Sequence, residues 1–574
     1  MRKTMLGFAA ATAALAACGN ALELAPESWD DQNPFGGEYK DGAYVCATTG
    51  VQAFAVSKTV PVSSNIVFTA DFTPAGADGT SHKTASVTLN ESPTRYWHLA
   101  LVETPPPDCR HAFELCEMRD GAWLSQEALV READETKGTW NFGERYALSI
   151  SLDGKGAEGT VHDVQGKLLL RRRFRLAPGA VGCGRPVLKC HSIRGVYARA
   201  AAEWTGEVTP PPVAEEVCTG PFFRVKEGAK GRWSFVSPDG REIFLNGCGT
   251  VNPHGDYNAK LGYAPYGWTV RRKYKTTRAW AEATAARLAA WGFNAVAGGA
   301  PELTTLGWPN AFILAIGQVM ACGDDEYNLL PGDGGPCTAF PNVFSPKFET
   351  YCRFVAARTC APRKNDTRLL GYFIDNELSW WGDVRQFTTP PERGLFDAAA
   401  KKSPGHSARQ ALDAFLAERG VASPDAASPE IRRDFIRLIA DKYFTVTNAA
   451  MKKYDPHHLN LGCRFAGRMP PGVIEVCGQV CDIVTVNYYG HVDLDRGLST
   501  DMPRIFADYA ARCQRPMMIT EWSFPAYDSG LPCQHGAGQR VATQAEKARC
   551  YEIYQTALMS FPFMVGSNYF MWVD

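Results

Sequence analysis

This 574-residue chain carries no surplus of one charge: 60 lysines and arginines stand against 61 aspartates and glutamates, a net charge of −1. A nucleic-acid binder needs a basic surplus gathered on one face, so that class is set aside. The densest basic run, Arg171-Arg172-Arg173-Phe174-Arg175, falls in 167–176, which reads as a strand with one solvated face. No Gly-x-Ser-x-Gly elbow is present for a serine hydrolase, and no His-Glu-x-x-His for a zinc hydrolase. No glycine-rich phosphate loop follows the first strand of the α/β region, which disfavours a doubly wound nucleotide fold. Cys477-x3-Cys481 lacks a second pair at metal-ligand spacing, so neither a metal nor a cofactor is expected. At 45% hydrophobic and 21% charged residues, the composition excludes a disordered chain.

Long apolar runs are scarce too. Arg2-Lys3 followed by Met5–Leu15 makes a signal segment too short to span a bilayer. Leu15-Ala16-Ala17-Cys18 resembles a bacterial lipobox, which implies cleavage before Cys18 and lipidation of its thiol. The expected product is an exported, membrane-anchored lipoprotein at the cell surface or in the periplasm; an ordinary secretory signal would export the chain equally. Cysteine is abundant, at 18 residues, as suits an oxidising compartment. Local disulfide candidates are Cys109/Cys116, Cys183/Cys190, Cys322/Cys337 and Cys352/Cys360.

Residues 1–18 form the signal peptide and lipobox. From 21 to 204, short β-rich runs alternate with turn signals such as Asp153-Gly154, which argues for a β-sandwich of jelly-roll type, a possible carbohydrate-binding domain. Its Trp97, Trp123 and Trp140 read as core in preference to ligand platforms. Residues 205–219, with Thr209-Pro-Pro-Pro212, form a Pro-rich linker. From 220 to 574 the pattern alternates strand and helix. Strands are expected at 243–251, 294–298, 312–319, 369–377, 459–465, 482–489, 516–521 and 566–572, with helices at 277–291 and 431–454. Eight such strands predict a TIM (β/α)8 barrel, truncated at the C-terminus directly after its eighth strand.

Two of these strands end alike. Leu369-Leu-Gly-Tyr-Phe-Ile-Asp-Asn376-Glu377 runs into Leu378-Ser-Trp380-Trp381, and Met517-Met-Ile-Thr520-Glu521 runs into Trp522. Glycosidic cleavage uses two carboxyl groups flanking one oxygen, and barrel chemistry sits at the carboxyl ends of strands. Tryptophan offers flat apolar surface to the C–H face of a sugar ring. The chain therefore reads as a glycoside hydrolase, with a carbohydrate as substrate.

Together with Val251-Asn252-Pro-His254-Gly-Asp256, Leu461-Gly-Cys-Arg464-Phe465 and Val486-Asn487-Tyr-Tyr489, these segments resemble the β-agarase and β-galactosidase-like families. Both belong to the large clan of retaining (β/α)8 glycosidases. The resemblance covers roughly 220–574 and implies a galactan-type substrate cleaved through a covalent glycosyl-enzyme. It gives Glu377, on strand four, the acid/base role and Glu521, on strand seven, the nucleophilic one. Asn376 would hydrogen-bond the sugar 2-OH. By the same resemblance Tyr489 donates to Glu521, Asn487 contacts sugar, and Trp572 forms a stacking floor. Arg464, Asn252 and His254 stand at strand ends and suit either substrate or structural hydrogen bonds. Trp380 and Trp522 are candidate groove walls, and His457-His458 reads as an exposed loop. A β-galactosidase or another β-glycanase of the clan, and a non-catalytic polysaccharide-binding lipoprotein, are the alternatives.

Overall fold

A computed structural model describes residues 20–31, 36–46, 52–78, 82–105, 108–119, 122–124, 129–208, 221–228, 231–256, 258, 260–332, 337–382, 393–466, 469–498, 501–530, 533 and 537–573. The signal segment, Cys18 and linker residues 209–219 lie outside them. The chain divides into two compact units, Met1–Val217 and Cys218–Asp574.

In the first unit, antiparallel strands form a nine-stranded and a seven-stranded sheet around one core. Alternation builds it: along Tyr146–Asp153, residues Tyr146, Leu148, Ile150 and Leu152 point inward while their neighbours are partly exposed. Trp97 and Trp140 are buried in that core, and each indole N–H is satisfied, by Val181 O at 2.9 Å and Ala112 O at 3.0 Å. Trp123 departs from the expectation and is 49% exposed. Three of the run's four arginines are neutralised across the sheet. Arg171 pairs with Glu158 at 3.2 Å, Arg172 with Asp134 at 3.1 Å and Arg173 with Asp153 at 2.7 Å. The run offers no free basic patch.

In the second unit, parallel strands lie in two arcs. One runs Ala295–Ala297, Leu245–Gly249, Met564–Tyr569, Met517–Glu521, Val484–Asn487, Phe465–Ala466; the other runs Asn310–Ile313, Leu369–Phe373, Leu459–Asn460. The ladders do not close into the expected barrel. They break because the third expected strand stops at Ile313, where Ala315 takes a left-handed φ of 54° and starts the helix Ile316–Met320. The fifth is interrupted between Asn460 and Phe465, where Gly462 has φ 72°. A few backbone hydrogen bonds cross both gaps: Val296 N to Pro309 O at 2.9 Å and Gly298 N to Ala311 O at 3.2 Å at one, Asp482 N to Asn460 O at 3.0 Å and Ile483 N to Asn460 O at 3.3 Å at the other.

The arcs share one core. Leu245, Ala295, Ala311, Leu370, Leu459, Ile483, Met518 and Val565, at or near the strand starts, gather with Phe223 and Phe235 of a small antiparallel sheet. This leaves the carboxyl ends of the strands for polar groups. At Gly371 an added Cβ would lie 2.2 Å from Leu459 O, so only glycine lets these strands approach. The helix Pro429–Tyr454 starts on Ser428, whose hydroxyl accepts from Ile431 N, with proline in its first turn and Lys452-Lys453 in its last. Its buried stripe of Phe435, Ile439, Tyr443 and Phe444 packs inward and delivers the Tyr443 hydroxyl to the end of the Leu369–Phe373 strand.

The disulfide expectation fails. Cys109, Cys116, Cys183, Cys190, Cys352 and Cys360 carry free thiols. In the fourth pair Cys322 donates to Gln318 O at 3.3 Å and Cys337 to Glu377 Oε2 at 3.6 Å. Close sequence spacing alone does not supply the Cα and Cβ geometry that a disulfide requires.

Candidate active site

Asn376 and Glu377 follow the strand Leu369–Phe373, where Asn376 forms an isolated parallel bridge with Arg464. Glu377 has φ 51°, a left-handed conformation that β-carbon sterics disfavour. Two backbone hydrogen bonds hold it there, Glu377 N to Arg464 O at 2.9 Å and Cys337 N to Glu377 O at 2.8 Å. Strain of this kind persists where the surroundings over-determine it, as they do in catalytic sites. The side chain is half-buried, and neutral donors reach both its oxygens: Asn487 Nδ2 at 2.8 Å from Oε1 and the Cys337 thiol at 3.6 Å from Oε2. Asn487 Nδ2 also reaches Asn376 Oδ1 at 3.1 Å, while Thr520 donates to Asn487 Oδ1 at 2.7 Å and fixes the amide.

Glu521 ends the strand Met517–Glu521 and pairs in register with Asn487. It is buried, accepting from Arg464 Nη2 at 2.7 Å on Oε1 and from the Tyr489 hydroxyl at 2.8 Å on Oε2. Burial raises its pKa above the ordinary glutamate value, the adjacent Glu377 charge adds to that, and Arg464 and Tyr489 offset part of it. Burial and the Glu521 charge push the Tyr489 phenol well up, so Tyr489 stays a donor. Six sequence-predicted residues, Glu377, Glu521, Asn376, Asn487, Tyr489 and Arg464, thus meet at one place, and Thr520 and Cys337, which the sequence reading missed, join them.

Other candidates lie elsewhere in the unit. Trp380 is fully buried and stacks on Phe444 at 5.6 Å, with Tyr443 edge-on at 5.4 Å. Trp522 is 1% exposed and stacks on Tyr554 at 4.5 Å. Both are core residues, not groove walls, because their rings pack among buried aromatics and are closed off from solvent. Trp572 donates to Tyr266 Oη at 2.9 Å, as does Trp280, and packs in the cluster around Val251 and Leu288. Asn252 Oδ1 accepts from His254 N and Gly255 N at 2.9 and 3.0 Å, a turn that occupies its side chain, while His254 is exposed. His458 corrects the exposed-loop reading: it is buried, 2.6 Å from Asp455 Oδ2. One supporting group went unnoticed in the sequence. Asp375 is fully buried and accepts from Gly317 N, Gln318 N and Tyr443 Oη at 2.7, 3.0 and 2.5 Å, its pKa pushed up to about 6 by burial.

No protein-family model matches the chain. It is 25% identical over 346 residues to "Beta-agarase B" of Vibrio sp. (strain JT0107), covering 54% of this chain and 34% of the relative. To "Beta-agarase A" of the same strain it is 26% identical over 437 residues, covering 62% and 42%. The chain is similar to β-agarases. It spans well under half the length of these curated relatives. Among solved structures, that of an exo-β-agarase matches with a TM-score of 0.50 at 15% identity, over 97% of this chain and 91% of that one. PfGH50B matches with 0.50 at 16%, over 95% and 92%. These structures share the mixed α/β and sheet-rich fold.

Proposed function

We propose that the protein is a retaining glycoside hydrolase acting on β-linked, agar-type galactan. The observation that carries this reading is the pair of strand-end glutamates, electrostatically coupled and held by different donors, in a chain similar to β-agarases. Glu521, fixed by Arg464 and Tyr489, attacks the anomeric carbon and forms a glycosyl-enzyme; Glu377 protonates the leaving oxygen and then deprotonates water. Glu377 suits proton exchange because its partners are neutral, so it gains and loses a proton without breaking an ion pair. Asn376 contacts the 2-OH, and Asn487 keeps the two in register. Retention with two carboxyls calls for about 5–5.5 Å between them. The two arcs of parallel strands act as a (β/α)8-type scaffold. Export and anchoring through Cys18 belong to the same proposal, and Cys18→Ala would move the protein from the membrane to the soluble fraction.

The test is hydrolysis of agarose oligosaccharides followed by NMR during the first turnovers. The β-anomer should form first and mutarotate later. Initial α-anomer would establish inversion, and no cleavage of any galactan would remove the substrate assignment.

A further inference from the structure

The seven-stranded sheet of the first unit carries a second group of chemically able side chains, unrelated to the glutamate pair. The strands Arg95–Glu103 and His111–Arg119 pair antiparallel, with His98 opposite Cys116 and Ala100 opposite Glu114. Trp97, Leu99, Leu101, Phe113 and Leu115 of these strands face the core, so His98, Glu114 and Cys116 share the other face. Directly opposite Cβ atoms in such a pair stand about 4.5–5.5 Å apart, close enough for two side chains to meet one small ligand. A ring nitrogen of His98, a carboxylate oxygen of Glu114 and the Cys116 sulfur lie within 4.8 Å of one another.

Burial makes this cluster unusual. His98 is 2% exposed and Cys116 3%. The Cys116 thiol lies beside the Glu114 carboxylate. His98 Nδ1 has no hydrogen-bond partner, and a buried polar atom left unpaired costs about 1–3 kcal/mol. Burial also holds the imidazole neutral, the form that ligates metal. Trp123 stands edge-on to the His98 ring at 5.1 Å and covers it. Lys189, 3.2 Å from Tyr96 Oη, and Arg172, itself paired with Asp134, place positive charge nearby. That charge opposes a cation, and two anionic ligands, carboxylate and thiolate, outweigh it.

We propose that His98, Glu114 and Cys116 bind a thiophilic divalent cation of the zinc class. One nitrogen, one oxygen and one sulfur ligand leave a fourth position for water, the arrangement of an open tetrahedral site. Bonds of about 2.0–2.3 Å place ligand atoms roughly 3–4 Å apart, so these side chains need to close by about an ångström. On binding, the sulfur–metal bond replaces the S–H bond and the proton leaves to solvent. The ion would clamp two neighbouring strands of the sheet and satisfy the orphan nitrogen. Sequence spacing gave no hint of it, because the histidine comes from a different strand and only the register brings it opposite Cys116.

The experiment adds cobalt(II) to the reduced, metal-free full chain. The expected result is one equivalent bound, with a thiolate-to-cobalt charge-transfer band and the intense visible absorption of a four-coordinate ion. His98→Gln and Glu114→Gln, checked by circular dichroism, should weaken binding at least about tenfold, and Cys116→Ser should abolish the charge-transfer band. Lys189→Met should leave the band and tighten binding. Absence of the band in the wild type overturns the proposal, as does its persistence in Cys116→Ser. X-ray absorption of the zinc-loaded wild type decides without variants. One sulfur with nitrogen and oxygen neighbours supports the site, and two or more sulfurs place the ion among other cysteines and contradict it.

Discussion

The strand ends that carry Glu377 and Glu521 look alike in sequence and differ in every physical respect that matters for chemistry. Glu521 continues a regular, buried strand and rests against a guanidinium and a phenol. Glu377 sits past its strand on a left-handed residue, half-buried, with an amide and a thiol as partners. A fixed counter-charge favours a group that must stay ionised until it attacks. Neutral partners favour a group that cycles through both protonation states. In the proposed mechanism the difference in partners, more than the shared sequence pattern, divides the roles.

The comparison breaks most sharply at Glu521. Glu521→Gly should lower turnover of agarose oligosaccharides by at least about ten-thousandfold, since removing a nucleophile leaves only binding and positioning. Substrate affinity, read by calorimetry, should stay within a few-fold. Next comes Glu377→Ala, expected to cost about 10²–10⁴ with poor leaving groups and little in the first step with activated aryl glycosides. An equal loss with both would contradict the acid/base role.

Arg464 sharpens the electrostatic half. The raised pKa of Glu521 places the acid limb of kcat/KM above the ordinary glutamate value of 4.5. Arg464→Met removes the opposing charge, and the limb should move up by about 1–3 pH units. An unmoved limb would show that another group controls it. Asp375 tests the support beneath Glu377. Its pKa is raised from 3.8 to about 6. Between these values the folded state holds a proton that the unfolded state has released, so stability falls as pH rises through that window, by about 3 kcal/mol, and is flat above it. Denaturant unfolding of wild type against Asp375→Asn at pH 4 and 6.5 should show a fall larger by about 3 kcal/mol in the wild type. The smallest effect belongs to Cys337→Ala, under about tenfold in kcat, because Asn487 still holds Glu377.

Legibility in the sequence followed how local each signal was. Strand Met517–Glu521 and helix Pro429–Tyr454 lay within two residues of their expected bounds, since apolar runs and caps are local. The strand expected over 312–319 was half wrong, because its second half is apolar enough for either state and Ala315 turns it into helix. Asp375, Glu377 and Glu521 all stand in the quoted motifs, and only the glutamates had a stated chemical need. Trp380 and Trp522 misled because tryptophan near a candidate carboxylate suits sugar stacking, while both lie past their strands and pack into the core. Cys337 and Thr520 gave no signal, as their roles exist only through contacts fixed by the fold.

The division of roles is tested most directly by azide rescue of the two variants on an activated β-galactoside. Glu521→Gly should yield the α-glycosyl azide, formed by direct attack in the space the nucleophile leaves. Glu377→Ala should yield the β-azide, formed from the glycosyl-enzyme. The opposite pairing of variant and anomer, or no azide product from either, would contradict the assignment of Glu521 as nucleophile.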